Sequence, residues 1–430
     1  MKIRCQKHRV VSPETLRHGL EARVTKSHLI IFLIALIFGG APARAQTHLL
    51  PTPHYLIHTD LDDSIAKDMA QRIEGMYSEY SQRLAAFSGV SNYPRMEVYL
   101  FRQQQDYVKF TGGKIRNTGG IFLPGRNLLA AFLEGQGRQQ LRRTLQHEAF
   151  HQFAYNAISP DIPIWLNEGL AQFFEEGLWN GPGLVLGESP PRRVRQLQAD
   201  MKNGQLVPFA QLLPMSDERW GRRLSESRSD GAVQYNQTWA MVHFLVMARS
   251  TRGELLYRPQ LLDMLRLLHS GKATANAFEV SFGTDVQGFQ ERFKRYAQRL
   301  KPTAEATLIE NQGVLADLLT DFAREGRHFN DIESFRRHIV RGHYKLHYSM
   351  GNLEWDTDPN INVYFSDLDG SRFSSDELYL SSRTGAPMSD IVCKYNNSLL
   401  LRTRFYDAPP KGVDHDLVIE PKAVSISISK

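Results

Sequence analysis

The sequence contains little cysteine, and this excludes a fold held together by disulfide bonds. Its two cysteines are Cys5 and Cys393, in a chain of 430 residues. Cys5 lies in an N-terminal leader that we expect to be removed, so Cys393 is left without a partner for an internal disulfide. Because Cys393 occurs in the strand-like segment DIVCKY, we expect it to be a small buried hydrophobe rather than a nucleophile.

The body of the chain also lacks a net charge. The formal charge is +6, but residues 1–45 hold eight basic and two acidic side chains, and the remaining residues carry 44 of each sign. A neutral body gives no support for a nucleic-acid partner. The arginine-rich segments PRRVRQ and RWGRR are therefore interpreted as solvated helix faces. With 42% hydrophobic and 23% charged residues, the chain is expected to fold into two or three domains.

The apolar segment of the leader is too short for a comfortable permanent membrane span. Basic residues precede the run LIIFLIALIF (Leu29–Phe38), and APARA follows it. The small residues Ala43 and Ala45 are typical of a signal-peptidase site. We expect residues 1–45 to be a signal peptide, the mature chain to begin at Gln46, and the protein to be exported with no stable membrane span after processing. An uncleaved N-terminal anchor is the alternative.

Residues 46–160 are predicted to form an α+β lobe. Strand patterns occur at His54–Asp60 and Arg95–Phe101, with helical periodicity over Ser64–Phe87 between them. Residues Gly119–Leu133 indicate two short strands around a Pro-Gly turn. A long helix follows directly, and strands on one side with a helix on the other describe an α+β layer arrangement.

The rest of the chain divides into a helical and a β-rich part. Residues 161–302 are predicted to be mostly helical, and residues 303–430 to form a C-terminal all-β domain such as a sandwich, from the short strand-like runs beyond Tyr344. The fold class is therefore α+β with a helical lobe and a C-terminal all-β domain. The segment Asp367–Asp376 has the composition of a calcium loop, but strand-like flanks favour a hairpin turn.

The segment LQHEAFHQFA (Leu145–Ala154) carries the best candidate for chemistry. His147 and His151 are four positions apart, so on a helix both imidazoles point the same way and can share a metal. Glu148 is close enough to reach a water on that metal without being a ligand, which is the His-Glu-x-x-His arrangement of zinc peptidases. The alternative is a buried helix with two hydrogen-bonded histidines. The side of the helix expected to face the core holds Leu145, Ala149 and Phe153.

The next segment, PDIPIWLNEGLAQFFEEG, offers a third ligand. Pro160 ends the first helix, and we expect Glu168 to open a second helix that packs against it. A catalytic zinc site uses three protein ligands and keeps one position open. His147, His151 and Glu168 supply such a set, which predicts one Zn²⁺ per chain.

HEAFH followed by WLNEGLA, with Glu168 seventeen positions after His151, resembles the gluzincin branch of the zinc metallopeptidases, in the peptidase MA clan. The similarity is greatest to exported bacterial members with this second segment. In layout the resemblance covers Tyr55 to Leu300 and implies a zincin-like lobe, with a mixed sheet and an active-site helix. It also implies that His147, His151 and Glu168 bind zinc and that Glu148 is the general base.

The sequence departs from the family pattern in two places. Gln172 stands four residues after Glu168, where thermolysin-like enzymes carry an aspartate that orients a zinc-bound histidine; a glutamine oxygen can still accept that bond. The strand segment GGIFLPG lacks the carboxylate with which aminopeptidases anchor the substrate amine.

A tyrosine further along the chain extends the resemblance. Tyr235, in VQYNQTWAMVHFL, is similar to the aminopeptidase tyrosine that stabilises the oxyanion, although Thr238 replaces the family's glycine. A packing role is the alternative for Tyr235. His243, on the same predicted helix, is expected to be structural.

These patterns predict an exported, periplasmic or secreted zinc-dependent peptidase that acts on a peptide or protein substrate, with an endopeptidase favoured over an aminopeptidase. Two alternatives stay open: a non-catalytic zinc-stabilised envelope binding protein, and a metal-dependent amidase acting on cell-wall peptide. The intact Glu148 argues against the first alternative, because a structural metal site does not need a general base. The sequence does not specify the substrate or the oligomeric state.

Overall fold

The computed structural model describes residues 2–7, 47–87, 94–113, 118–180, 183–350, 353–358, 362–367, 369–408 and 412–422. Most of the predicted signal peptide, including its apolar run and cleavage site, lies outside these ranges. Within them, no helix is long and apolar enough to cross a membrane. The fold is a mixed α+β arrangement with helices and several sheets.

A five-stranded mixed sheet forms the N-terminal part of the fold. In chain order, the first six strands are β1 (Lys2–Lys7), β2 (His48–Pro51), β3 (Tyr55–Thr59), β4 (Met96–Phe101), β5 (Gly120–Leu123) and β6 (Leu128–Phe132). The sheet has the order β2-β3-β4-β6-β5. Its three central strands are parallel, and both outer strands are antiparallel to their neighbours. The predicted strands are confirmed, and β5 is an edge strand.

Helices cover both faces of this sheet. The three helices are α1 (Asp63–Arg83), α2 (Gln104–Phe110) and α3 (Gly137–Ala157). Because side chains alternate along a strand, Val98 and Leu129 enter the core shared with α1 and α3, whereas Leu128 and Ala130 pack with Tyr107 of α2 on the other face. The predictions of α1 and α3 are confirmed; α2, only seven residues long, was not predicted.

The middle of the chain is helical, as predicted. Its elements are α4 (Ile164–Glu175), β7 (Leu178–Trp179), β8 (Leu184–Val185), α5 (Pro191–Lys202), α6 (Phe209–Leu212), α7 (Asp217–Glu226), α8 (Arg228–Met247), α9 (Arg258–His269), α10 (Thr274–Phe282) and α11 (Val286–Arg299). The expectation that Glu168 opens α4 is wrong, because the helix begins at Ile164, directly after Pro163. A Cβ on Gly169 would lie 2.7 Å from the carbonyl oxygen of Thr238, so this glycine allows α4 to lie close against α8. One apolar cluster contains residues from Tyr55 to Ala297.

The C-terminal part combines helices with two antiparallel sheets. Its elements are α12 (Ala304–Arg324), α13 (Ile332–Gly342), β9 (Tyr344–Met350), β10 (Leu353–Thr357), β11 (Leu378–Ser381), β12 (Asp390–Lys394), β13 (Leu399–Asp407) and β14 (Val413–Pro421). The sheet orders are β1-β9-β10 and β11-β12-β13-β14. The prediction of an all-β domain is wrong, because Leu315 of α12 and Phe335 of α13 share one apolar core with Ile391 and Phe405 of the strands.

Two smaller expectations about this part agree with the structure. The Asp367 carboxylate accepts hydrogen bonds from the backbone N–H groups of Asp369 and Ser371, at 3.0 and 2.8 Å. It therefore stabilises a turn, as predicted, which an antiparallel bridge between Ser366 and Arg372 closes. The expectation of a strand before this turn is wrong, because Asn362–Phe365 is a 3₁₀-helix. Cys393 is fully buried in the C-terminal core, and burial raises the pKa of its thiol. It is a packing residue.

Candidate metal centre

Helix α3 presents His147 and His151 towards α4 while its opposite side enters the core. The buried side contains Leu145, Ala149 and Phe153, each at most 2% exposed. The two imidazole rings lie edge to face with centroids 4.8 Å apart. This is the arrangement expected for histidines one helical turn apart.

Helix α4 brings Glu168 to the two imidazoles. Its Oε2 lies 3.3 Å from Nε2 of His147 and 3.7 Å from Nε2 of His151. One ligand atom from each of the three residues lies within 4.8 Å of the other two. The Glu168 Oε2 atom is buried and has no hydrogen-bond partner of acceptable geometry. A buried carboxylate oxygen without a donor is costly, and two imidazole nitrogens with one carboxylate oxygen suit Zn²⁺.

The other nitrogen of each imidazole is held by a residue of α4. Nδ1 of His147 lies 3.1 Å from Oε2 of Glu175, and Nδ1 of His151 lies 3.0 Å from Oδ1 of Asn167. Because both oxygens accept hydrogen bonds, each Nδ1 donates and each Nε2 keeps its lone pair towards Glu168. Such bonds fix the orientation of metal-ligating histidines.

The residue that orients His147 is therefore Glu175, and the expectation for Gln172 is wrong. The Gln172 side-chain oxygen instead accepts a hydrogen bond from the guanidinium of Arg193, on α5. Glu175 lies seven residues after Glu168, close to two full helical turns, so both carboxylates are on the same face of α4. Sequence reasoning missed Asn167 and Glu175, although the amide directly before Glu168 and the acid two turns after it were visible signals.

A buried ionic network supports Glu175. Arg143 of α3 binds Glu175 at 3.2 Å and Glu176 at 2.7 Å. Glu176 also accepts hydrogen bonds from Arg192 and Arg193 of α5. Burial acts to raise the pKa values of both carboxyl groups, but their cationic partners lower them. The interpretation of PRRVRQ as a solvated helix face is wrong, because Arg192 and Arg193 pair with this buried acid.

The charges of the ligand residues are strongly coupled. Burial disfavours the charged form of His147, but contact with the carboxylates of Glu168 and Glu175 outweighs it and raises the pKa of the imidazole well above its ordinary value. Burial acts to raise the pKa of Glu168, and the charges of His151 and His147 lower it overall. A cation bound between the three residues would take the place of the proton that His147 gains beside these carboxylates.

Glu148 contacts the edge strand β5. The backbone N–H of Phe122, in β5, donates a hydrogen bond of 2.8 Å to its Oε2. Burial raises the pKa of Glu148, although the charges of His147 and His151 act in the other direction. The carboxylate thus lies between the edge strand and the ligand cluster, with an increased affinity for a proton.

Tyr235 lies on α8, with its ring edge-on to Trp220 at a centroid distance of 5.5 Å. Burial, followed by the negative charge of Glu168, raises the pKa of its phenol. The hydroxyl therefore stays protonated at neutral pH and can act as a donor. It lies within electrostatic reach of the ligand cluster.

His243 has both ring nitrogens occupied within the protein. Its Nδ1 lies 2.6 Å from the Tyr296 hydroxyl, and its Nε2 lies 3.1 Å from the carbonyl oxygen of Gly187. Burial lowers the pKa of His243 to about 4. A neutral imidazole that donates from Nε2 and accepts at Nδ1 satisfies both contacts, which agrees with a structural role.

One family model matches the part of the chain that contains this cluster. Residues 142–259 match a family model described as "Protein of unknown function (DUF1570)". The match spans well under half of the chain, and it includes the three candidate ligands together with Glu148 and Tyr235. No curated protein matches the chain.

Proposed function

We propose that this protein is an exported zinc-dependent endopeptidase with Glu148 as the general base. The observation that carries the proposal is that His147, His151 and Glu168 bring three ligand atoms together. The Oε2 atom of Glu168 is buried and has no hydrogen-bond partner of acceptable geometry. The orientation of both Nδ1 atoms supports it, since each imidazole is held with Nε2 towards that oxygen. The zincin-like layout and the export signal remain part of this proposal.

The residues around the cluster have distinct roles in peptide hydrolysis. A zinc ion held by His147, His151 and Glu168 would supply a Lewis acid that lowers the pKa of water and polarises the scissile carbonyl. Glu148 accepts a proton from the attacking water and returns it to the leaving amine. The Tyr235 phenol donates to the carbonyl oxygen as negative charge develops there.

The edge strand β5 is suited to hold an extended substrate. Among the strands of the described ranges, β5 pairs with β6 alone, so an added strand can use its other edge for backbone hydrogen bonds. Because Phe122 of this strand bonds Glu148, a substrate bound along this edge would lie beside the proposed base. The first acid after the strand, Glu134, is bound to the backbone of Gln104 at 3.0 Å and is not available on β5.

This arrangement predicts that the enzyme does not require a free substrate amine. A desolvated ammonium without a carboxylate partner is costly to bind, and β5 offers no carboxylate. We therefore expect a cleaved peptide and its N-acetylated form to be hydrolysed at the same internal bond with similar kcat/KM, measured by mass spectrometry. Loss of cleavage on acetylation would contradict the endopeptidase assignment. The first candidate for an amine anchor would then be the exposed Asp217. Burial, followed by the negative charge of Glu168, raises the pKa of its carboxyl group.

A second prediction tests the role of Glu175. Glu175→Gln retains an oxygen that can accept from His147 but loses the charge that balances Arg143. We expect zinc affinity, measured by chelator competition, to fall about 10- to 100-fold, the usual effect of losing an outer-shell partner. The matched control is Gln172→Ala, which we expect to retain wild-type affinity because Gln172 bonds Arg193. If zinc affinity fell in Gln172→Ala and stayed at the wild-type level in Glu175→Gln, Gln172 would be the residue that orients His147.

A further inference from the structure

A cavity of about 350 Å³ lies between the metal-bearing helix and the C-terminal sheet. Its walls come from α1, α3, the segment around β7, and strands β13 and β14. The volume is within the range of small-molecule sites. Arg143 and Glu175 line the cavity, so it lies directly behind the residues that support His147.

One guanidinium in this cavity lacks an acidic partner. Arg72 lies over the indole ring of Trp179, 4.7 Å from the ring centroid. Within the described part of the chain, its Nη1 and the Trp179 Nε1 are buried donors with no hydrogen-bond acceptor. Burial, followed by the charge of Arg142, lowers the pKa of Arg72 to about 10. The side chain of Arg72 is partly buried, and a cation in such a place is favoured by an anion bonded directly to it.

The neighbouring charges do not supply that anion. Asp68 and Asp416, whose charges reach Arg72, both bind the guanidinium of Arg142, at 2.6 and 3.0 Å. Arg143 is bound by Glu175 and Glu176. The charges of Asp68 and Asp416 balance that of Arg72 only at longer range. The Arg72 Nη1 and the Trp179 Nε1 therefore remain donors without an acceptor, and a carboxylate in the cavity can accept from them.

The opposite wall of the cavity is apolar. Leu401, Leu417 and Ile419 of the C-terminal sheet and Ile309 of α12 line it. Covering these apolar side chains with a hydrocarbon group is favourable, because it removes apolar surface from water. A fully hydrated inorganic anion cannot make that contact, whereas an organic anion can.

We propose that this cavity binds a small organic monocarboxylate, with its charged group on Arg72 and its hydrocarbon portion against Leu417 and Ile419. The C-terminal residue of a peptide and a free short-chain carboxylic acid both have this chemistry. The site is separate from the ligand cluster, so the proposal does not depend on the proposed function.

The test uses four probes with the full-length, zinc-loaded protein, and binding is measured by isothermal titration calorimetry. N-acetyl-leucine and hexanoate represent the two sources, N-acetyl-leucinamide is the neutral isostere, and inorganic phosphate lacks the hydrocarbon. We expect at least one carboxylate to bind at one site and the amide and phosphate to bind at least about tenfold more weakly. The tighter of the two carboxylates identifies the source. Equal binding of the amide or of phosphate would overturn the proposal.

Variants locate the binding site on the protein. Arg72→Gln is expected to weaken carboxylate binding at least about tenfold. Because Arg72 forms no direct ion pair within the described part of the chain, the melting temperature of this variant should lie close to that of the wild type. The control Arg138→Gln changes an arginine that is stacked on Tyr406 in the adjacent cleft, and binding should be unchanged. Carboxylate binding that persists in Arg72→Gln but disappears on zinc removal would place the ligand on the metal and overturn the assignment.

Discussion

Replacing Glu148 by glutamine is expected to lower peptide hydrolysis by about 10²- to 10⁴-fold, the range typical for losing a general base. The amide cannot take up the proton of the attacking water. The Phe122 N–H that now bonds Glu148 can still donate to the amide oxygen, so the side chain should keep its position. Because Glu148 is not one of the converging ligand residues, zinc content should remain at one ion per chain.

The measurement is kcat/KM on a peptide that the wild type cleaves, together with metal content by elemental analysis and the melting temperature. Glu279→Gln is the matched control, since Glu279 is an exposed residue of α10 and the same substitution there should change nothing. Unchanged hydrolysis in Glu148→Gln would refute the assignment of the base. A wild type that binds zinc but cleaves no peptide in a mixed library would favour the non-catalytic zinc-stabilised protein.

Local sequence patterns were enough to predict the elements that position the candidate site. Alternation predicted β3 and β4, and apolar residues every three or four positions predicted α1 and the core side of α3. The four-residue spacing of His147 and His151 determines their common direction, because that geometry belongs to the helix itself. Glu168 lies beside the two histidines because α4 packs against α3. The sequence alone could only suggest this packing.

The sequence could not reveal contacts that depend on which helices meet. Glu175 reaches His147 because α4 packs against α3. Arg193 donates to the oxygen of Gln172 because α5 packs close to α4 and α8. From the sequence alone, Arg193 is indistinguishable from a solvated arginine, although it is buried against Glu176. The sequence shows how many charged side chains a segment contains, but which of them form ion pairs is known only from the tertiary structure.

The error in the C-terminal part has a similar origin. The strands beyond Tyr344 were recognised from their alternation, and the two helices before them were assigned to the same all-β domain. A four-stranded sheet exposes an apolar face that another layer must cover. In this protein α12 packs against β13 and β14, so the helix belongs to the core of the sheet that follows it.

The second large effect is expected from Glu168→Ala, which should remove most of the bound zinc. The variant keeps only the two imidazole ligands, whereas a catalytic zinc site normally requires three protein ligands. The loss of affinity should exceed the roughly 10- to 100-fold expected for an outer-shell partner such as Glu175. Folding and metal binding are linked, so added zinc should raise the melting temperature of the wild type far more than that of the variant.

The experiment compares zinc content by elemental analysis and zinc affinity by chelator competition in purified wild type and variant. Glu218→Ala is the control, because Glu218 is an exposed acid that pairs with Arg222 across one helical turn, at 3.0 Å, and such surface pairs contribute little. Thermal unfolding without zinc separates loss of a ligand from loss of the fold. In the metal-free protein, the Glu168 carboxylate contacts the imidazoles of His147 and His151 at 3.3 and 3.7 Å, so its removal is expected to lower the melting temperature of the metal-free variant, and a cooperative unfolding transition shows that the fold is retained. A Glu168→Ala variant that binds zinc as tightly as the Glu218→Ala control would show that the third ligand is another residue.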